Sequence, residues 1–118
     1  MKETVKQRSL RQNKYRWKVV VGTVLAYINE ELKREGCEYR ATPEDVDLLI
    51  KEKALKIAHR IPTSLGELVI TGKLRTRSTK DFEEAMLQIR SYFDKRGIYI
   101  PAPNEVDLQQ YAENLERM

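Results

Sequence analysis

Residues 65–77 read Leu-Gly-Glu-Leu-Val-Ile-Thr-Gly-Lys-Leu-Arg-Thr-Arg, and in this stretch the apolar residues abandon the three-to-four spacing that governs the sequence around it. Leu68-Val69-Ile70 is a β-prone run, Thr71-Gly72-Lys73 a glycine-assisted turn, and the residues beyond it a second extended segment. The stretch predicts a small β-hairpin set between helices.

Upstream, Leu10, Trp17, Val21, Val24, Leu25, Ile28 and Leu32 recur at helical spacing until Gly36, and Ser9 followed by Gln12 forms an S-x-x-Q capping pattern. A long first helix over about 10–35 follows. The Val19-Val20-Val21 triple suits a strand, but each valine costs only about a few tenths of a kcal/mol in helix propensity, so the flanking period outweighs it. Thr42-Pro43-Glu44-Asp45 supplies a cap, a proline at the first helical position and a box-closing carboxylate. The second helix carries Val46, Leu49, Ile50, Ala54, Ile57 and Ala58, fading near His59 with Pro62 as its stop. Downstream, Ser78 with Asp81 repeats the capping pattern, and Phe82, Ala85, Met86, Ile89 and Phe93 outline a helix over 79–96 closed by Gly97. Pro101 and Pro103 keep the next stretch extended, and Asn104 with Asp107 caps a last helix along Leu108, Tyr111, Ala112 and Leu115. The fold class is α+β: a mainly helical single domain over 1–118 with a small β-hairpin, in the order α-α-ββ-α-α.

With 118 residues, 41% hydrophobic and 34% charged, the chain supports one core and not two. A mean hydropathy of −0.62 and the lack of an apolar run near 18 residues predict no membrane span, and the opening residues have no apolar region of a secretory signal. A cytoplasmic protein is expected. Cys37 and His59 are single, which removes disulfide scaffolds and thiolate zinc sites, so no metal or cofactor is implied. Glu44, Asp45, Asp47, Glu52, Glu83 and Glu84 are accounted for as helix first turns and solvated faces, and the expectation is that the protein is not an enzyme.

Charge is distributed unevenly. Residues 1–18 hold seven cations (Lys2, Lys6, Arg8, Arg11, Lys14, Arg16, Lys18) against Glu3, a net of +6 in a chain whose total is +4, so residues 19–118 sum to −2. Lys73, Arg75, Arg77 and Lys80 form a second cluster without an acid among them. This asymmetry points to nucleic acid. The candidate DNA-binding residues are Arg8, Arg11, Gln12, Asn13, Lys14 and Tyr15 at the first helix start, with Lys73, Arg75, Arg77 and Lys80 along a β edge. Cations neutralise phosphates, carboxamides reach backbone or base edges, and Tyr15, off the main apolar stripe, is the ring placed to stack on a base, whereas Trp17 belongs to the core. Gln12 is equally placed to cap Ser9, and charge on an exposed edge strand also guards against aggregation. The expectation is that the two basic segments converge into one cradle.

The run Arg8-Ser9-Leu10-x-Gln12-Asn13 with an aromatic at Trp17, the strand and basic stretch leading into Asp81-Phe82-Glu83, and Gly97-Ile98-x-Ile100-Pro101 together resemble the NinB family of phage recombination proteins, the Orf-like mediators of phage lambda type. The likeness extends from residue 5 to about 105. It implies a homodimeric, non-enzymatic recombination mediator that binds single-stranded and gapped DNA and helps a recombinase load on strands covered by the single-strand-binding protein. Ser9, Gln12, Asn13 and Trp17 match the motif, flanked by Arg8 and Arg11. By this resemblance the chain is expected to lack most of the family's N-terminal subdomain, with Glu3–Gln7 as a candidate strand of it. Two rivals are a sequence-specific DNA-binding regulator and a protein-binding oligomerisation adaptor using the Leu10 to Leu32 stripe.

Overall fold

A computed structural model describes residues 12–72 and 78–105. Helix α1 runs over residues 12–34, π-helical through Tyr15–Val21 and α-helical through Gly22–Arg34. Helix α2 covers Pro43–Lys53, strands β1 and β2 cover Ala58–Thr63 and Gly66–Thr71, helix α3 covers Thr79–Asp94, and a 3-10 turn follows at Pro103–Glu105. The expected mainly helical α+β architecture with one hairpin is present. The last helix expected from Asn104 lies outside the described residues except for that turn.

The three helices meet in one core. Tyr15, Val19, Val20, Val21 and Val24 of α1, Val46 and Ile50 of α2, and Phe82, Ala85, Met86, Ile89 and Phe93 of α3 are buried together with Ala54, Leu55 and Ile100. The α3 residues are those its period names. In α1 the expected stripe is inward from Val21 on, with Val24 buried and Leu25 and Ile28 packed against the core, and the buried face shifts only before it. A π-helix bonds i to i+5 and turns more slowly per residue than an α-helix, so successive valines at 19, 20 and 21 all reach the interior. Traced back from Val24, the buried set then falls on Val20, Val19, Arg16 and Tyr15, and Trp17 is shifted to the core's half-buried margin.

Local chemistry sets the element ends. At the start of α2 the Asp45 amide donates to Thr42 Oγ1 at 3.2 Å and the Thr42 amide donates to Asp45 Oδ2 at 2.9 Å, the reciprocal box expected from sequence. Glycines at positive φ, Gly36 (+76°) and Gly97 (+81°), close α1 and α3. In each, paired bonds absorb the last carbonyls: Gly36 and Cys37 donate to Lys33 and Leu32, and Gly97 and Ile98 donate to Asp94 and Phe93.

The α2–hairpin junction departs from expectation. The helix stops at Lys53, and Lys56 takes a left-handed conformation (φ 56°). Ala58 and His59, read as the helix's tail, instead open β1, and Pro62 lies within that strand and does not act as a helix stop. The hairpin turn is at Ser64-Leu65, with Ala58 opposite Thr71 and Thr63 opposite Gly66. Thr71-Gly72-Lys73 is therefore not the turn, since the Gly72 amide still donates across to the Ile57 carbonyl at 3.0 Å. The Thr63 hydroxyl secures the true turn, donating to the Gly66 carbonyl at 2.6 Å and accepting from the Leu65 amide at 3.2 Å.

Candidate nucleic-acid interface

At the start of α1, Gln12 and Asn13 are half-buried and Lys14 is exposed. Lys80 is exposed in the first turn of α3. Arg8, Arg11, Lys73, Arg75 and Arg77 lie outside the described residues, as does the Ser9 cap, so the expected meeting of the two basic segments falls there as well.

Tyr15 is a correction. Its ring is 3% exposed and cannot stack on a base; the hydroxyl donates to the Pro101 carbonyl at 2.7 Å and accepts from Arg90 Nη1 at 3.0 Å. The π-helical turn brings it inside, where an α-helical stripe would have left it out. Burial raises the phenol above its ordinary pKa, with Arg90 opposing that shift. Arg16, counted among the cations of this segment, is also withdrawn from solvent. Its Nε and Nη2 donate to Asp47 Oδ1 at 3.2 and 2.6 Å, Lys51 Nζ reaches Asp47 Oδ2 at 3.0 Å, and the guanidinium lies 4.7 Å from the Trp17 ring centre. One of the seven cations of the basic opening is thus spent on a buried ion pair between α1 and α2.

The packing of α2 on α3 builds a basic surface that no sequence run announces. Lys53 at the end of α2, Lys56 in the junction after it, and Lys95 and Arg96 just past the end of α3 together line an open groove of about 730 Å³. Gln88 Nε2 donates to the Ala54 carbonyl at 2.9 Å and ties the two walls together. Leu87, Ser91 and Tyr92 line the groove, with Glu84 its acid against the four cations. Arg96 stacks 3.5 Å from the Tyr92 ring centre while donating to the Tyr92 carbonyl at 2.9 Å. Leu87 is 60% exposed, an apolar step on a charged wall. None of the four lies in either basic segment read from the sequence. The two pairs stand about forty positions apart, and only the tertiary fold joins them.

Among the described residues, no three His, Cys, Asp or Glu side chains come together to hold a metal ion, and no helix is long and apolar enough to cross a membrane. Compared with protein-family models, with curated proteins and with solved structures, the chain matches none.

Proposed function

We propose that this chain is a non-catalytic DNA-binding protein that holds single-stranded or gapped DNA, acting as a recombination mediator of phage type in the host cytoplasm. The observation that carries the DNA reading is the open groove that Lys53, Lys56, Lys95 and Arg96 line together. Four cations along an open trough suit a phosphate backbone better than an enclosed small molecule, and a single strand also offers bases to the exposed Leu87 and the rim of Tyr92. Lys56 adds weight, because a non-glycine residue in the left-handed region costs about 1–2 kcal/mol, and this one stands at the groove. Exposed Lys14 and Lys80 and half-buried Gln12 and Asn13 are available for further contacts. The mediator role, the homodimer and the contacts with a single-strand-binding protein or recombinase are supported by the Arg8 to Asn13 motif.

Titrating a fluorescent single-stranded oligonucleotide at several salt concentrations tests the reading. Four phosphate contacts give a log-affinity against log-salt slope of about −3, and Lys53→Ala with Lys95→Ala reduces it to about −1.5. A flat response rejects it. The apolar outer face of the hairpin, with Ile61, Leu68 and Ile70 exposed, favours a second reading as a protein-binding module. Absence of DNA binding at low salt would select that one.

A further inference from the structure

Residues directly opposite in the hairpin share a face. Ala58/Thr71, Arg60/Val69 and Pro62/Glu67 form one face, and His59/Ile70, Ile61/Leu68 and Thr63/Gly66 form the other. The first is turned to the body: Arg60 binds Glu52 of α2 and, through Nη1 at 2.8 Å, Glu67, while Ala58, Val69 and Thr71 are half-buried. The second is open. Ile61 is 42% exposed, Leu68 51%, Ile70 48%, and Leu65 at the turn 99%. An amphipathic hairpin that offers its aliphatic side to water has an unmet burial requirement.

We infer that this face packs against the same face of a second copy, hairpin on hairpin. Its charge favours a copy over another occupant: in a chain of net charge +4, this ridge bears no Lys, Arg, Asp or Glu, so two copies meet there without repulsion and without burying an ion. A charged partner would find nothing to pair with. Edge-to-edge addition along β1 is disfavoured by Pro62, which has no amide to donate. The area sets the strength. The four exposures amount to somewhat more than two whole aliphatic side chains per copy, at about 100 Å² each, or roughly 500 Å² of apolar surface for the pair. Since apolar atoms make up about 60% of such contacts, the whole interface is about 800–900 Å², just under the roughly 1,000 Å² of a stable one. The dimer is therefore weak and concentration-dependent.

This inference gives an interface to the homodimer of the proposed reading and rests on that reading for the copy number alone. Sedimentation of the full chain without DNA, from low micromolar to near-millimolar concentration, tests it. A monomer–dimer equilibrium is expected. Leu68→Lys with Ile70→Lys weakens it at least tenfold while circular dichroism stays unchanged, because both side chains lie outside the core. Leu87→Lys, an equally exposed position on α3, leaves it intact. A monomer at every concentration, or a dimer that tolerates the hairpin substitutions or responds to Leu87→Lys as strongly, overturns the inference. The two readings fail separately: a monomer that still binds DNA sinks this interface, and a dimer that does not bind DNA sinks the DNA reading.

Discussion

Replacing Asp47 by Ala asks whether Arg16 holds the fold or faces DNA. Arg16 is 5% exposed and Asp47 7%, and the guanidinium has no acceptor besides Asp47 Oδ1 in its surroundings as described. Asp47→Ala strands that cation in the core, together with the ammonium of Lys51, which loses its 3.0 Å partner. Breaking a buried pair from one side costs about 3–5 kcal/mol. For a chain of 118 residues the unfolding entropy near the midpoint is about 0.25 kcal/mol/K, so the melting temperature falls by about 12–20 °C. Urea unfolding followed by circular dichroism reads the same change as a midpoint shift of about 2 M at an ordinary slope for this size. The compensated variant, Arg16→Met with Asp47→Leu, removes both charges and should return to within about 1 kcal/mol of the wild type, since well-packed apolar side chains replace such pairs at little cost. It should also bind DNA as the wild type does. A midpoint shift under about 0.5 M for Asp47→Ala would refute the reasoning, because it would mean that Arg16 finds water or another partner without effort.

Three further outcomes follow from the same geometry. Tyr15→Phe leaves Arg90 and the Pro101 carbonyl without the hydroxyl and costs about 1–2 kcal/mol at neutral pH, measured by urea unfolding. Because burial raises this phenol, its neutral form stabilises the fold fully below the ordinary value of about 10, and the contribution is lost as pH climbs from there through the raised value; Tyr15→Phe should flatten that alkaline decline. Thr42→Ala removes the acceptor for the Asp45 amide and should cost about 1 kcal/mol in the same assay without altering DNA affinity. Lys56→Gly relieves the left-handed backbone, so the melting temperature should hold or rise by a few degrees while oligonucleotide affinity falls; a loss of stability would place the value of Lys56 in the fold and not in the groove.

What could be read in the residues is best seen element by element. Helix α3 was legible in full: a Ser78 cap whose hydroxyl accepts from the Asp81 amide at 3.2 Å, an uninterrupted stripe from Phe82 to Phe93, and Gly97. Local signals and tertiary packing agree there, so pattern suffices. The length of α1 and its inward face from Val21 to Ile28 are legible, but the face before Val21 is not, because there the backbone takes a wider turn than a period of 3.6 supposes, and Tyr15 is a core anchor and not a ligand contact. The α2–hairpin junction was hidden for another reason. Ala54, Ile57 and Ala58 continue the α2 stripe, and nothing in their identities says that it ends at Lys53. The break is made by Lys56, a residue type that gives no turn signal, held left-handed while the Ile57 amide donates back to the Lys51 carbonyl at 2.8 Å. That reversal sends residues 58–63 out as β1 and leaves Lys56 in the lining of the groove that Lys95 and Arg96 share. One backbone conformation thus displaces the hairpin from its expected register and completes the basic groove. The strand and the groove are hidden in the sequence together because both depend on the same unannounced residue.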